Sequence, residues 1–244
     1  MIFQITLAEK VIEVHTVYDF SYVYCLDYLT HKSVVDFVIE INSEEIENEL
    51  DPRILLSEKY GTKKMRYYYG YTEFLILYRK ICEKMLDCST FLMHGAVVSD
   101  GKWGYLFSAP SGTGKTTRAV YLKNYLLGAT IINGDKPLIK IEDDDTAIAF
   151  GTPWCGKEYM GKNSSIPLRA VFLLERAEKT DVRKLTIEKA LPYLVRQTYF
   201  SSMEGASKKT MELLCRMAKS VNIYKYCSTD SIDDVLLAYD MARK

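Results

Sequence analysis

The sequence predicts an α/β protein in which helices flank a mixed β-sheet. Short apolar runs that suit buried strands alternate with segments of helical periodicity along most of the chain. The apolar runs 91–98 and 103–107 are separated by Asp100-Gly101, a dipeptide typical of a tight hairpin turn. These two strands are therefore expected to be antiparallel. Because a doubly wound sheet would place a helix between them, the hairpin favours a mixed sheet.

The first 88 residues are predicted to form a small β-rich region. Residues 1–17 alternate apolar and polar side chains, as paired strands do. Asp51-Pro52 is expected to end a short acidic helix. Strands are expected at 1–17, 34–41 and 65–71, and helices at 43–50 and 73–86. The tyrosines at 67–69 and 71 suit either a peptide-docking face or ordinary packing, and packing is favoured.

Residues 89–244 are predicted to form the larger domain. Strands are expected at 91–98, 103–107, 129–132, 138–141, 146–150, 168–175 and 222–227, and helices after residue 115, at 187–198, at 207–219 and from Ser231. Ser231 and Asp234 resemble a helix-capping pair. The acidic run 142–145 is interpreted as a hairpin tip between two strands rather than as a metal site.

Composition excludes several function classes. The 244 residues contain 32 Lys plus Arg and 32 Asp plus Glu, so no excess charge attracts nucleic acid or a membrane surface. No apolar stretch is long enough to cross a bilayer, and the N-terminus lacks the pattern of a signal peptide. The six cysteines show no C-x-x-C and no metal-ligand spacing, which indicates reduced thiols and a cytoplasmic location.

One motif carries chemistry. Residues 109–117 fit the phosphate-loop pattern [AG]-x-x-x-x-G-K-[ST], between an apolar run and a helical pattern. Gly112 and Gly114 allow backbone N–H groups to curl around phosphates, Lys115 can reach the β- and γ-phosphates, and Thr116 can bind Mg²⁺ through its hydroxyl. The lysine ammonium is expected to be solvated. The predicted nucleotide-binding residues are Ser111, Gly112, Thr113, Gly114, Lys115, Thr116 and Thr117.

From residue 73 onward the order of elements resembles the catalytic domain of HPr kinase/phosphorylase. The resembling segments are Met93-His94-Gly95-Ala96-Val97-Val98, Gly104-Tyr105-Leu106-Phe107 and Ser111-Gly112-Thr113-Gly114-Lys115-Thr116. Segments 132–137 and 151–158 also look like an uncharacterised subgroup of that family, whose members accompany peptide-modification genes. The family shares its fold with ATP-dependent phosphoenolpyruvate carboxykinase and forms hexamers. The resemblance therefore implies a P-loop kinase core, ATP, Mg²⁺, a peptide or small-protein acceptor and a homo-oligomer.

The resemblance also assigns an acidic site beyond the phosphate loop. The family usually carries Asp-Asp where this chain has Gly134-Asp135, 20 residues beyond Lys115. By position the retained acid, Asp135, is a Mg²⁺ ligand and the missing one is the general base. Without the resemblance, Asp135 is also explained as a turn-forming acid after Asn133-Gly134.

Two further residues complete the predicted site, each with an alternative role. His94 is predicted to face the γ-phosphate and to act in catalysis; the alternative is a hydrogen-bonded core histidine. Glu158 is predicted to be a metal ligand or a substitute base; the alternative is a solvated loop acid. Its neighbour Lys157 is better explained as a surface lysine. Arg169 and Arg196 are candidate phosphate clamps on charge alone.

The sequence thus predicts an ATP- and Mg²⁺-dependent kinase that phosphorylates a hydroxyl, of the serine or threonine type, on a peptide or small protein. GTP and pyrophosphate remain open as alternative donors. Region 1–88 is expected to present the acceptor. The alternative function is a nucleotide-binding regulator that transfers nothing, which Gly134 in place of the acid favours.

Overall fold

The computed structural model describes residues 1–51 and 62–244. Internal contacts divide the chain into two compact units, Met1–Lys84 and Met85–Lys244. The predicted helix stop at Pro52 lies outside the described residues. No helix within the described ranges is both long and apolar enough to span a bilayer.

The first unit contains a three-stranded sheet in the order β1-β2-β3. Its elements are strands β1 (Ile2–Leu7), β2 (Lys10–His15) and β3 (Phe37–Glu40) and helices α1 (Phe20–Tyr24), α2 (Ser43–Glu49) and α3 (Thr62–Met85). Strands β1 and β2 are antiparallel, and β2 and β3 are parallel. Ala8 and Glu9, both at positive φ, form the two-residue turn between β1 and β2, and such turns match the twist of a hairpin. The strands predicted at 1–17 and 34–41 are confirmed by β1, β2 and β3.

The predicted strand at 65–71 is wrong, because these residues lie within α3. The ring of Phe20 contacts those of Tyr67, Tyr71 and Phe74 at centroid distances of 5.5, 6.1 and 5.8 Å. Their spacing of four and then three residues is that of one helical face. Strand preference of tyrosine is thus overridden by tertiary packing, and the cluster packs within its own unit.

The second unit is built on a large mixed sheet. Its strands are β4 (Thr90–Leu92), β5 (Ala96–Ser99), β6 (Gly104–Ser108), β7 (Thr130–Asn133), β8 (Leu138–Ile141), β9 (Ala147–Phe150), β10 (Ser165–Arg176), β11 (Asp181–Lys184) and β12 (Asn222–Ser228). Its helices are α4 (Lys115–Tyr125), α5 (Ile187–Arg196), α6 (Ala206–Ser220) and α7 (Ile232–Arg243).

Strand β10 pairs with three other strands of this sheet. Its first residues pair antiparallel with β9, and the rest pairs in parallel with β6 on one side and β12 on the other. Strand β5 is antiparallel to both β6 and β7. The mixed sheet that the Asp100-Gly101 hairpin predicted is therefore confirmed.

The helices cover both faces of the sheet, and each face has its own apolar core. Leu194 of α5 and Leu214 of α6 are fully buried in one core. Leu122 of α4 and Val235 of α7 are fully buried in the other. Flanking helices are thus confirmed as well. The arrangement holds the carboxyl ends of β6 and β10 between the two helical layers.

The predicted strand 91–98 is interrupted. Strand β4 pairs with β8, β5 pairs with β6, and residues 93–95 connect them. The His94 N–H donates to the Gln197 carbonyl at 2.7 Å, and the Gly95 N–H donates to the Asp135 carbonyl at 2.8 Å. A Cβ on Gly95 would lie 2.9 Å from the Phe107 carbonyl oxygen and 2.6 Å from Leu106 Cδ1, so a larger residue would have to move the backbone of β6. The interruption places His94 and Asp135 side by side. Strand β11 carried no recognised sequence signal.

Candidate functional site

A polar cleft of about 420 Å³ opens where β6 ends and α4 begins. Ligand pockets commonly have volumes of about 300–1,000 Å³. The cleft is lined by Ser111, Gly112, Gly114, Lys115, Thr116, Thr117, Gly134, Asp135, Gly156, Lys157, Glu158 and Arg176. The phosphate-loop motif and the acidic loops that follow in sequence therefore meet at one site.

The loop itself has the backbone that an anion site needs. Gly112 and Gly114 have φ values of +79° and +103°, in the region that favours glycine. Gly114 caps α4 without a side-chain hydrogen bond to the first helical turn. The first N–H groups of a helix have no partner within it, so this end presents donors and a positive partial charge to an anion.

Lys115 is buried, with 6% of its surface exposed, so the expectation of a solvated ammonium is wrong. Its Nζ donates to the carbonyl oxygens of Ala109 at 3.0 Å and Pro110 at 3.3 Å. Burial lowers the pKa of Lys115, the nearby Asp135 charge opposes that shift, and Lys136 adds to it. A phosphate in the cleft would give this ammonium the countercharge that its burial calls for.

Asp135 lies opposite the start of α4. Its Oδ1 lies 3.2 Å from His94 Nε2, and its Oδ2 forms an ion pair with Lys136. Burial alone would raise the pKa of Asp135, but the hydrogen bonds from His94 and Lys136 prevail and lower it to about 2. The carboxylate is therefore ionised at neutral pH. Thr116 is on the same side, with its hydroxyl 3.4 Å from the Gly134 carbonyl.

His94 does not line the cleft. Its ring lies behind Asp135, with Nδ1 3.0 Å from Gln197 Oε1 and Nε2 facing the carboxylate. With this orientation of the Gln197 amide, each ring nitrogen faces an acceptor oxygen, so a hydrogen on either nitrogen has a partner. His94 therefore contacts Asp135 directly, and Asp135 lies between the His94 ring and the cleft.

Asn133, fully buried, fixes the turn that carries Asp135, and sequence reasoning missed it. Its Oδ1 accepts from the N–H groups of Asp135 at 2.9 Å and Lys136 at 2.7 Å. Its Nδ2 donates to the Thr152 carbonyl and hydroxyl at 3.1 and 3.0 Å. The Asn-Gly-Asp signal was recognised as a turn, but the buried partner nineteen positions away was not.

Glu158 and Lys157 are exposed on the loop that closes the far side of the cleft. The side chains of Asp135 and Glu158 both lie next to Gly156. A Cβ built there would lie 3.2 Å from Asp135 Cβ and 3.6 Å from Glu158 Oε2. Among the residues that the structure describes, no three His, Cys, Asp or Glu side chains are grouped to hold a metal ion. Any Mg²⁺ here would thus take most of its ligands from phosphate and water.

The backbone packs closely around Gly134. A Cβ at this position would lie 2.7 Å from the Cys155 carbonyl oxygen and 3.2 Å from that of Met160. Because both neighbours are backbone atoms, no side chain fits without moving the 155–160 loop. That loop thus occupies the space that a side chain at position 134 would need.

We expect Gly134→Asp to destabilise the protein rather than to create or improve catalysis. Overpacking of this kind costs about 1–3 kcal/mol. Gly134→Ala carries the same Cβ without the acid and is the matched control. Thermal melts of both variants are expected to show similar losses, with no gain in phosphoryl transfer for either. Transfer by Gly134→Asp above that of the parent chain would contradict this interpretation of the loop.

Two arginines at the site were not predicted. Arg176, at the end of β10, lines the cleft and donates to the Gly112 carbonyl at 2.9 Å. Arg118, 1% exposed, donates to the Gly114 carbonyl at 3.3 Å and forms an ion pair with Asp230. Both therefore hold the phosphate loop from outside the motif. The candidate clamp Arg169 instead packs on Trp103, with 5.8 Å between its Cζ and the ring centroid.

No protein-family model matches this chain, and no curated protein matches it in sequence. Among solved structures, the HPr(Ser) kinase/phosphatase from Coxiella burnetii matches with 12% identity and a TM-score of 0.36. The match covers 62% of this chain and 94% of that one. A score and an identity this low define neither the fold nor the activity of this chain.

Proposed function

We propose that this protein is an ATP- and Mg²⁺-dependent phosphotransferase acting on a hydroxyl group of a peptide or small protein. One observation carries the proposal: three features border the same cleft. They are a buried lysine, a helix N-terminus preceded by two glycines at positive φ, and an ionised aspartate. Each has the chemistry that a nucleoside triphosphate with Mg²⁺ requires.

The nucleotide phosphates fit the end of the cleft formed by the loop and α4. Backbone N–H groups at the start of α4 would bind the phosphate chain, as helix N-termini do. Lys115 would exchange its carbonyl partners for phosphate oxygens. Arg176 and Lys157 have no carboxylate partner within the described residues, so their charges are available at the same cleft. The balance of charge favours an anionic ligand.

Thr116 and Asp135 are the residues that would bind the metal. A hydroxyl and a carboxylate are hard oxygen ligands, and Mg²⁺ in phosphotransferases takes few protein ligands beside phosphates and water. Asp135 is ionised, as a ligand must be. Its Oδ2 would exchange Lys136 for the metal, while His94 keeps hold of Oδ1. His94 is therefore proposed as a positioning residue for Asp135.

Phosphoryl transfer here depends mainly on positioning and charge. The acceptor oxygen forms a bond to the γ-phosphorus as the bond from that phosphorus to the β–γ bridging oxygen breaks, and the acceptor proton passes to a base or to solvent. Lys115 would stabilise the charge on the moving group. Glu158, beside Asp135 across Gly156, is proposed to receive the proton in place of the acid that Gly134 excludes.

A nucleotide-binding regulator without transfer is the second candidate. Two observations favour it: the backbone around Gly134 excludes an acid there, and Glu158 is exposed without a fixed partner described for it. Both candidates need nucleotide binding, and only transfer distinguishes them.

We expect the full chain with Mg²⁺ and ATP to phosphorylate serine-containing peptides, detected by mass spectrometry. Glu158→Gln should slow transfer by about a hundredfold to ten-thousandfold, the usual contribution of a general base, with ATP affinity nearly unchanged. Glu178→Gln alters an exposed acid that does not line the cleft and serves as the control. Tight ATP binding without transfer by the parent to any peptide, protein or small hydroxyl compound would favour the regulator instead.

A further inference from the structure

A second, smaller pocket lies beside the phosphate loop and differs from the cleft in character. Its volume is about 170 Å³, and its walls are mostly apolar. Pro110 of the loop, Leu173 and Leu174 of β10, and Tyr193 of α5 contribute to it. It thus lies at the carboxyl ends of β6 and β10, under the last turn of α5. Parallel strands commonly place ligands at this edge of a sheet.

Hydrogen bonds connect this pocket to the cleft. Gln197 lines the pocket, and its Oε1 lies 3.0 Å from His94 Nδ1. His94 Nε2 in turn lies 3.2 Å from Asp135, which lines the cleft. Ser108, another wall residue, donates to the His94 carbonyl at 2.7 Å. One histidine therefore separates the two spaces, and the phosphate loop borders both, with Pro110 on the pocket and Ser111 on the cleft.

The charge around the pocket favours an acidic occupant. Arg196 lies at its rim, exposed and without a hydrogen-bond or ion-pair partner among the described residues. Glu175, the carboxylate among the lining residues, is paired with Lys225 at 2.7 Å. Its neighbour Arg176 lines the cleft instead and donates to the Gly112 carbonyl at 2.9 Å. The rim therefore carries one uncompensated positive charge.

The size of the pocket limits what can enter. A cavity of about 150 Å³ lined by apolar side chains holds benzene. A space of 170 Å³ thus accepts one side chain of the size of Leu, Met or Phe. A purine base is larger than these side chains, and mostly apolar walls would leave its ring nitrogens without partners, so the pocket is a poor fit for the donor. The remaining partner in the reaction is the acceptor.

We propose that this pocket binds the acceptor, a peptide segment with a Leu-, Met- or Phe-sized side chain close to the phosphorylated hydroxyl and an acidic side chain that pairs with Arg196. The inference rests on the proposed function and adds a substrate class to it. Burying the apolar side chain and forming the ion pair would select this sequence, while Gln197 and His94 couple the occupied pocket to Asp135.

The test uses the full chain, Mg²⁺, ATP and a library of octapeptides with one fixed serine and randomised flanks. The phosphorylated fraction is sequenced by mass spectrometry for the parent, Arg196→Glu, Tyr193→Ala and Arg183→Glu. Arg183 is an exposed arginine on β11 and provides the matched charge reversal. Thermal melts and ATP titration establish that each variant is folded and binds the donor.

The parent is expected to select a large apolar residue at one flanking position and Asp or Glu at a neighbouring one. Arg196→Glu should lose the acidic preference at least tenfold and prefer Lys or Arg, and Tyr193→Ala should weaken the apolar preference, while Arg183→Glu resembles the parent. Transfer without either preference, or an acidic preference that survives in Arg196→Glu, would overturn the acceptor pocket and leave the kinase standing. ATP binding without any phosphorylated peptide would overturn both.

Discussion

Lys115→Ala is expected to weaken ATP binding by about a hundredfold or more. Lys115 would contribute two charge-assisted hydrogen bonds to phosphate oxygens, and each such bond contributes about 1.5–3 kcal/mol. Because burial lowers its pKa, the ammonium gains more from an anionic ligand than a solvated lysine would. Calorimetric titration with ATP measures the loss directly.

The variant must be shown to fold, because Lys115 is buried against two loop carbonyls. A thermal melt provides that control. Lys123→Ala removes an exposed lysine from the same helix and is expected to leave ATP affinity unchanged. Undiminished affinity in folded Lys115→Ala would rule out triphosphate binding at this loop.

Asp135→Asn is expected to retain metal-free ATP binding and to lose the gain that Mg²⁺ provides, by about tenfold or more. The amide keeps the shape of the carboxylate but lacks its charge, and the loss of a contact to a charged group costs about 1.5–3 kcal/mol. The pKa of Asp135 near 2 means that the parent carboxylate is ionised at any pH above about 4, so the effect should be present throughout the neutral range.

Titrations with ATP, with and without Mg²⁺, measure this difference. Asp143→Asn alters an exposed acid at the β8–β9 hairpin and is the matched control for charge. If parent and Asp135→Asn showed the same Mg²⁺ dependence, Asp135 would have no part in metal binding.

The parts of the site that depend on adjacent residues were predictable. The phosphate loop requires glycine at Gly112 and Gly114 for its backbone, and that requirement is visible in nine consecutive letters. The hairpin at Asp100-Gly101 is equally local and fixed the mixed character of the sheet. In each case one short segment carries both the signal and the structure.

The parts that depend on distant contacts were not predictable. His94 and Gln197 are separated by 103 positions, and nothing in either segment indicates that they meet. Gly134 looks like a lost acid in sequence, whereas the structure explains it by the Cys155 and Met160 carbonyls. Arg176 reaches the loop from β10, and only the parallel pairing of β10 with β6 brings it there.

Helix α3 illustrates the limit of local preference in a different way. Tyrosine-rich residues 65–71 favour a strand when their side chains are considered alone. Within the first unit, the rings at 67, 71 and 74 pack on Phe20, and only a helix brings residues at those spacings to one face. Tertiary packing decides the outcome there.

The most direct test of a triphosphate site at this cleft is calorimetric titration of the full parent chain with ATP, with and without Mg²⁺. We predict one ATP bound per chain, with a higher affinity when Mg²⁺ is present. The absence of saturable ATP binding under both conditions would contradict the assignment of the cleft, and with it the proposed phosphotransferase.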